Sequence, residues 1–223
     1  MGIPRSIGAM AKQSKSKAKR KTSVWYQRHV QDPHVRRAQA EGKRSRAAFK
    51  LSEILAQYAL LSRSDGVVVD LGCAPGSWLQ EMRSLYPQAL LIGVDVLPMQ
   101  QVAGAAFIQA DFTSDEALKA LEGELQERHV DLLLSDMAPE MSGHKLVDQS
   151  RMIGLNELAL DFAVNHLRSG GNMLLKSFMG EGFDEFRKEL AGWFSRVKVV
   201  KPAASRKTSS EFFLLALGFR ESR

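Results

Sequence analysis

Short apolar runs recur along the chain after residue 66, and apolar residues between them repeat at helical spacing. The runs are continuous in Val, Leu and Ile, which is typical of strands buried on both faces of a sheet. The segments between them place apolar residues three or four apart, as amphipathic helices do. The pattern predicts strands over residues 67–71, 89–96, 106–110, 130–135, 172–177, 197–200 and 211–218.

Helices are predicted between these strands, over residues 77–86, 114–129, 148–167 and 181–194. Strands that alternate with helices favour a mostly parallel sheet covered by helices on both faces. The last two strands are joined by a polar loop over 202–210, which leaves no room for a helix, so they should pair antiparallel. The predicted fold is α/β and Rossmann-like, with a seven-stranded sheet whose last strand is antiparallel.

The chain before the first strand predicts two further helices. Asp32 and Pro33 have the N-cap and first-turn preferences of a helix start, and Gly42 is suited to end that helix. A second helix is predicted over 45–61, where apolar residues share one face. Lys50 lies beside that face, and on pattern alone we expect its ammonium to extend to water and to have no function.

Basic residues are concentrated at the N-terminus. Residues 1–46 hold 13 Lys/Arg and 2 Asp/Glu, whereas the rest of the chain holds 18 and 23. Residues 1–23 are predicted to be a disordered basic arm, with Met1 or Met10 as the start. A basic arm on a near-neutral domain favours nucleic acid as a partner, the alternatives being a solubility tail or a transit peptide. Trp25 and Tyr26 would stack on bases or pin the arm to the domain.

The length and the cysteine content exclude several classes of protein. A chain of 223 residues suits one domain with an extension. Cys73 is the single cysteine, so an internal disulfide and a cysteine-built metal site are excluded, and no metal is expected. No apolar run approaches the roughly 20 residues of a membrane span. We therefore expect a cytoplasmic monomer that does not bind a membrane.

Charged residues follow successive strands at the predicted carboxyl edge of the sheet. The first strand leads into a glycine loop, where Gly72 and Gly76 allow sharp turns and close approach of a ligand. Asp95, Asp111 and Asp136 stand at the ends of the next three strands, and Lys176 is in the fifth. Because ligands of open parallel sheets bind beyond this edge, these residues predict a binding site.

The acids indicate which ligand this site takes. A carboxylate after the second strand can bind both ribose hydroxyls, and one after the third can accept from an adenine amino group. The loop lacks the full glycine fingerprint that binds a dinucleotide pyrophosphate. Several acids with few phosphate donors favour a positively charged nucleoside, and S-adenosylmethionine, with its sulfonium and amino groups, fits that description.

The chain resembles the FtsJ/RrmJ family of ribosomal RNA 2′-O-ribose methyltransferases, in particular its bacterial large-subunit members, from about residue 25 to the C-terminus. In two places it departs from the common family pattern, with Ser77 in place of Gly and Glu140 in place of Asn; Ser77 fits if its φ is negative. The resemblance rests on RSRAAFKL (44–51), DLGCAPGSW (70–78), DVLPM (95–99), SDMAPEMSG (135–143), KSFMGEGFDE (176–185) and SRKTSSE (205–211).

Beyond the basic arm over 1–23, the resemblance implies one methyltransferase domain over 24–223, divided into an RNA-facing helical extension (24–62) and a Rossmann-like core (63–223). It implies methyl transfer from S-adenosylmethionine to a uridine of large-subunit ribosomal RNA on the assembled subunit. The implied catalytic tetrad is Lys50, Asp136, Lys176 and Glu211. The methyl donor would contact Gly72, Gly76, Trp78, Asp95, Asp111 and Asp136. RNA would contact Arg28, Arg44, Arg46, Lys201, Arg206 and Lys207.

Two questions stay open at the level of sequence. Lys176 would either take the proton of the 2′-hydroxyl as a neutral base or orient that hydroxyl as a charged ammonium. The substrate would be ribosomal RNA or, as alternatives, tRNA or another RNA. A small-molecule methyltransferase has no use for the basic arm, and a non-catalytic ribosome-assembly factor has no use for an intact tetrad.

Overall fold

The computed structural model describes residues 33–205 and 210–221. Seven strands lie in these residues and form one sheet. The central strands are buried on both faces, which is why continuous rather than alternating apolar patterns produce them, whereas the two edge strands are partly exposed. The strands are β1 (Val67–Leu71), β2 (Leu90–Asp95), β3 (Ala105–Gln109), β4 (Val130–Ser135), β5 (Leu167–Phe178), β6 (Phe194–Val200) and β7 (Glu211–Phe219).

The sheet has the strand order β3-β2-β1-β4-β5-β7-β6. β1 to β5 pair in parallel, whereas β7 pairs antiparallel with both β5 and β6. The predicted mostly parallel sheet with an antiparallel end is confirmed. Since β7 runs against β5, its first residue, Glu211, pairs with Phe178 at the carboxyl end of β5.

The described residues contain six helices, of which five cover the two faces of the sheet while α1 packs against α2. One apolar layer packs α4, α5 and α6 on one face, and a second layer packs α2 and α3 on the other. Side-chain alternation sends Val67 and Val69 into the first layer and Val68 into the second. The helices are α1 (Pro33–Ala40), α2 (Ala47–Gln57), α3 (Ser77–Leu85), α4 (Asp115–Leu125), α5 (Lys145–His166) and α6 (Phe183–Trp193).

Several predicted element boundaries are wrong, and the backbone angles explain the ends of two helices. The helix predicted over 45–61 stops at Gln57, since Tyr58 is extended, with φ −135° and ψ 126°. The helix predicted over 114–129 stops at Leu125 because Gln126 and Glu127 have positive φ, 50° and 65°. β5 and β6 start earlier than predicted, directly after α5 and α6.

The structure tests the predictions for the N-terminal part of the chain only from residue 33 onwards. The arm over 1–23, Trp25, Tyr26, Arg28 and the Asp32 cap lie outside the described residues, as do Arg206 and Lys207. α1 begins at Pro33, and Gly42 follows it with a φ of 66°, as predicted for a helix end. None of the helices that the structure describes is long and apolar enough to cross a membrane.

Candidate active site

A cavity of about 630 Å³ opens at the carboxyl edge of the sheet. The segments that follow β1, β2, β3 and β4 form its walls, and one face of α5 closes the side. This is where an open parallel sheet binds its ligand, and the volume lies within the range of about 300–1,000 Å³ typical of small-molecule sites. Its wall includes Gly72, Ala74, Asp95, Leu97, Asp111, Phe112, Asp136, Pro139, Arg151 and Leu158.

The glycine loop after β1 is held tightly against its neighbours. Gly72 has a φ of 74°, and its N–H donates to the Val94 carbonyl at 2.9 Å. A Cβ at Gly72 would lie 2.8 Å from the backbone nitrogen of Met137, in the segment after β4. Glycine is therefore required for two reasons, the left-handed backbone and the close approach of the neighbouring segment.

Asp95 connects this loop to the segment that follows β2. One carboxylate oxygen accepts from the Ala74 N–H and the other from the Leu97 N–H, both at 2.8 Å. The carboxylate thus fixes two parts of the cavity wall relative to each other while it lines the cavity itself.

Asp111 stands at the cavity rim after β3. One of its oxygens accepts from both the backbone N–H and the hydroxyl of Thr113, at 2.9 Å each. These hydrogen bonds hold the pKa of the Asp111 carboxyl below its ordinary value. The side chain is therefore a carboxylate, ready to accept a hydrogen bond from a ligand.

Asp70, the fourth residue of β1, is buried at 1% exposure. Neither of its carboxylate oxygens has a hydrogen-bond partner in the described residues. Burial raises the pKa of Asp70 well above its ordinary value of 3.8, and the neighbouring charges of Asp136 and Asp95 raise it further. A cationic group that donates a hydrogen bond to Asp70 would satisfy its oxygens and stabilise its charged form.

Gly76 and Trp78 are not among the residues that line the large cavity. Trp78 is 3% exposed, and its indole N–H donates to the Ala47 carbonyl at 2.9 Å. Its ring packs against Phe213, with ring centroids 5.7 Å apart. It borders a narrow cleft that also touches Asp70, Gly72 and Asp136. Contact of Gly76 and Trp78 with a methyl donor stays a prediction.

Lys176 and Asp136 form an ion pair beside the cavity. The ammonium donates to the Asp136 backbone carbonyl and lies 3.0 Å from the Asp136 carboxylate. That carboxylate contact is close but poorly aligned for a hydrogen bond, so the attraction is chiefly electrostatic. The side chain of Lys176 is 9% exposed, and Asp136 lines the cavity. The pair therefore presents a nearly buried ammonium next to the ligand space.

Lys50 and Glu211 form a second ion pair on the same face of the sheet. Residue alternation along β7 places Glu211 and Phe213 on the face that α2 covers, where Phe213 is in register with Lys176. From α2, Lys50 donates to Glu211, and its ammonium lies 5.7 Å from the centre of the Phe213 ring. The structure thus brings the four predicted tetrad residues to one region.

The expectation from helical pattern that the Lys50 ammonium extends to water is wrong. Its ammonium does not extend to water, because Glu211 accepts from it and the residue is 9% exposed. Helical periodicity reports which face of α2 is apolar, but it carries no information about a carboxylate brought onto that face by β7. The motif resemblance was the signal that singled out Lys50.

A family model described as FtsJ-like methyltransferase matches residues 43–219. The chain belongs to the FtsJ-like methyltransferase family. The matched residues span α2 and all seven strands of the described sheet, so they include the cavity and both ion pairs. The resemblance noted from the motifs is confirmed.

Relatives of this methyltransferase cover nearly the whole chain. It is 46% identical over 212 residues to the ribosomal RNA large subunit methyltransferase E of Stenotrophomonas maltophilia K279a, covering 95% of this chain and 98% of that one. It is 49% identical over 205 residues to the protein of that name from Azoarcus sp. BH72, covering 92% and 100%. A crystal structure assigned as a ribosomal RNA methyltransferase from Plasmodium falciparum is similar at TM-score 0.71 and 28% identity, covering 79% and 98%.

The predicted RNA-binding residues of this methyltransferase lie in three settings. Lys201 is exposed after β6. Arg44 and Arg46 donate instead to backbone carbonyls of their own chain, Arg44 to three of them and Arg46 to that of Ala204. Arg28, Arg206 and Lys207 lie outside the described residues. RNA contact by these six residues stays a prediction.

Two residues that sequence reasoning missed shape the segments around the site. Asp148 of α5 accepts from the backbone and hydroxyl of Ser142, both at 2.7 Å, and so fixes the segment after β4. Gln149 donates to the Met179 carbonyl at 2.6 Å, which fixes the segment after β5. Both are buried at the start of a predicted helix, and the sequence offered no sign that they bind loops.

Proposed function

We propose that this methyltransferase transfers a methyl group from S-adenosylmethionine to the 2′-hydroxyl of a uridine in large-subunit ribosomal RNA, on the assembled subunit. The observation that carries the proposal is the Lys176–Asp136 pair at the wall of an acid-lined cavity. The names of the relatives, which cover nearly the whole chain, support the RNA substrate.

The residues around the cavity fit S-adenosylmethionine. Asp95 and Asp111 offer carboxylate oxygens to the ribose hydroxyls and the adenine, and Phe112 and Leu97 offer apolar walls. Asp70 has no partner in the described residues, and a positive charge nearby would stabilise its carboxylate. When bound, S-adenosylmethionine supplies an electrophilic methyl group on a positively charged sulfur.

We propose that Lys176 acts as a charged ammonium. Two acceptors contact the ammonium, the backbone carbonyl and the carboxylate of Asp136. As an ammonium, Lys176 orients the 2′-hydroxyl and stabilises the negative charge that develops on the oxygen during in-line attack. The hydroxyl proton then leaves late, to water or to a carboxylate.

The Lys50–Glu211 pair would complete the part of the site that binds the RNA ribose that receives the methyl group. Glu211 is held by Lys50 and lies 3.4 Å from the Ser205 hydroxyl, at the point where the loop after β6 returns to the sheet. We propose that this pair positions the target ribose beside Lys176. RNA would be held by the basic arm together with Arg28, Lys201, Arg206 and Lys207, in a cytoplasmic monomer.

Transfer of a tritiated methyl group tests the proposal. The full chain is incubated with tritiated S-adenosylmethionine and with unmodified large subunits, free large-subunit RNA, tRNA or DNA in separate reactions. We expect label in the large subunit, and nuclease mapping should place it on a ribose that resists alkaline cleavage. Label in tRNA alone, label on a base, or binding without label would contradict the proposal.

A further inference from the structure

Arg44 is half-buried, and its guanidinium donates to backbone carbonyls of its own chain. One terminal nitrogen donates to the Pro75 carbonyl at 2.8 Å and to the Gln100 carbonyl at 2.5 Å. The other donates to the Gln101 carbonyl at 2.7 Å. A guanidinium presents fixed N–H groups in one plane, so a single side chain can join three carbonyls in this way.

The segments joined by Arg44 are those that Asp95 joins from the cavity side. Asp95 binds Ala74 and Leu97, whereas Arg44 binds Pro75 and the carbonyls of residues 100 and 101. The glycine loop and the segment after β2 are thus tied together twice, once at the cavity and once behind it. Both segments form the wall that we propose holds the methyl donor.

Gly76 leaves the space that this arrangement requires. A Cβ at Gly76 would lie 2.8 Å from a terminal nitrogen of Arg44 and 2.9 Å from the Val102 side chain. The absence of a side chain lets the guanidinium approach the loop closely enough to reach the Pro75 carbonyl.

The residues on either side of Arg44 hold it in place. Lys43 pairs with the buried Glu81, and the Ser45 hydroxyl lies 2.7 Å from that of Ser77. The Arg44 N–H donates to the Gln80 side chain at 3.1 Å. Residues 43–45 are therefore fixed to α3, which follows the glycine loop, so the guanidinium has little freedom to turn towards RNA.

We propose that Arg44 is a positioning residue for the methyl-donor site, and not an RNA contact. It would act through the glycine loop and the segment after β2, keeping Ala74 and Asp95 at the spacing that the donor requires. The inference rests on the proposed function in one respect, that the cavity binds S-adenosylmethionine.

Arg44→Met tests the inference by separating donor affinity from RNA affinity. Calorimetric titration with S-adenosylhomocysteine, in the absence of RNA, should give a Kd about tenfold or more above wild type, as expected for loss of charge-assisted hydrogen bonds. The RNA Kd, from filter binding to large-subunit RNA, should change less than about twofold. In turnover, KM for the donor should rise while kcat at saturating donor stays close to wild type.

Two further variants serve as controls. Arg44→Lys keeps a charge but not the planar fork, so its donor Kd should be intermediate and the variant should fold even where Arg44→Met does not. Arg63→Met removes an exposed arginine paired with Asp65 just before β1, and it should change neither Kd. An unchanged donor Kd in both Arg44 variants, or a comparable loss of RNA affinity, would overturn the inference. Failure of the wild type to bind S-adenosylhomocysteine would instead contradict the proposed function.

Discussion

Lys50 and Glu211 are 161 residues apart in the chain and form an ion pair in the folded protein. Their side chains are 11% and 18% exposed, so the contact is largely shielded from water. It joins α2, which precedes the sheet, to the start of β7, the last strand. This ion pair therefore adds to the apolar packing that holds α2 against β7, the strand that we propose helps to bind the target ribose.

Lys50→Met and Glu211→Gln should each lower both stability and activity. Each leaves one partner without its counter-charge in a largely buried place, which costs about 3 kcal/mol when a buried pair is broken. Urea unfolding monitored by tryptophan fluorescence gives the loss of stability. Methyl transfer to large subunits, measured where the variants are folded, gives the loss of activity.

The double variant Lys50→Met/Glu211→Gln separates the two effects. With both charges gone, much of the lost stability should return, because no unpaired charge remains. Activity should not return if the pair binds the ribose. Recovery of methyl transfer in the double variant would show that the pair is structural alone.

Lys176→Met should lower the rate of methyl transfer by at least about 100-fold while leaving donor binding close to wild type. Lys176 pairs with Asp136, which lines the cavity. Loss of a group that stabilises developing charge typically lowers the rate by about 100–1,000-fold. Titration with S-adenosylhomocysteine tests donor binding, and Lys188→Met, an exposed lysine on α6, is the matched control. Turnover near wild type would remove Lys176 from the mechanism.

Deletion of residues 1–23 should weaken RNA binding and leave donor binding unchanged. The arm carries basic residues and no acids, so it would bind RNA through the phosphates. The slope of log affinity against log salt should fall by roughly 0.7–0.9 for each phosphate that the arm neutralises in the full-length protein. Filter binding at several salt concentrations measures this. Equal slopes and affinities would favour the solubility-tail interpretation of the arm.

The fold could be predicted from sequence because each strand is marked by a local pattern of apolar residues. Continuous apolar runs in β1, β2 and β4 identify strands without knowledge of their partners, and the short polar loop before β7 identifies the antiparallel end. The ends of α2 and α4 could not be predicted, since they depend on the backbone angles of Tyr58 and Gln126, which the apolar pattern does not contain.

The site was predictable only for those residues whose place follows from the predicted strands. Asp95, Asp111 and Asp136 lie at the end of a strand or within two residues of it, so position in the sequence fixes position at the sheet edge. Lys50 and Arg44 precede the sheet in the chain, and each contacts a residue of a distant element, Glu211 for Lys50 and Pro75 for Arg44. Local sequence patterns cannot report such contacts, so the helical pattern gives no sign of the ion pair of Lys50 or of the carbonyls that Arg44 binds.

Gly72→Ala should destabilise the protein by about 1–3 kcal/mol, through left-handed backbone strain and the clash with Met137. Since the clash displaces the segment that carries Asp136, the donor Kd should also rise. Gly123→Ala is the matched control. A Cβ at this exposed position of α4 meets nothing within 4 Å, so it should stabilise the helix by about 1 kcal/mol. Equal stability of Gly72→Ala and wild type would show that the loop adapts.

Asp70→Asn should make the protein more stable than wild type at neutral pH. Because the pKa of Asp70 is raised on folding, the unfolded chain loses this proton at lower pH than the folded chain does. Wild-type stability therefore falls as pH rises from the ordinary pKa of 3.8 towards the raised value, and asparagine, which does not ionise, removes that fall. Urea unfolding of both proteins between about pH 4 and pH 8 measures the difference, which should vanish at the acid end.

The same variant tests the proposed pairing of Asp70 with a positively charged donor. Without the carboxylate, S-adenosylhomocysteine, which keeps the amino group of the donor, should bind about tenfold more weakly, as expected for loss of a charge-assisted contact. S-Adenosylmethionine, which adds the sulfonium charge, should lose at least as much affinity. A more stable variant with wild-type affinity for both would mean that Asp70 faces no cation in the complex, and that its orphaned oxygens are satisfied by another donor.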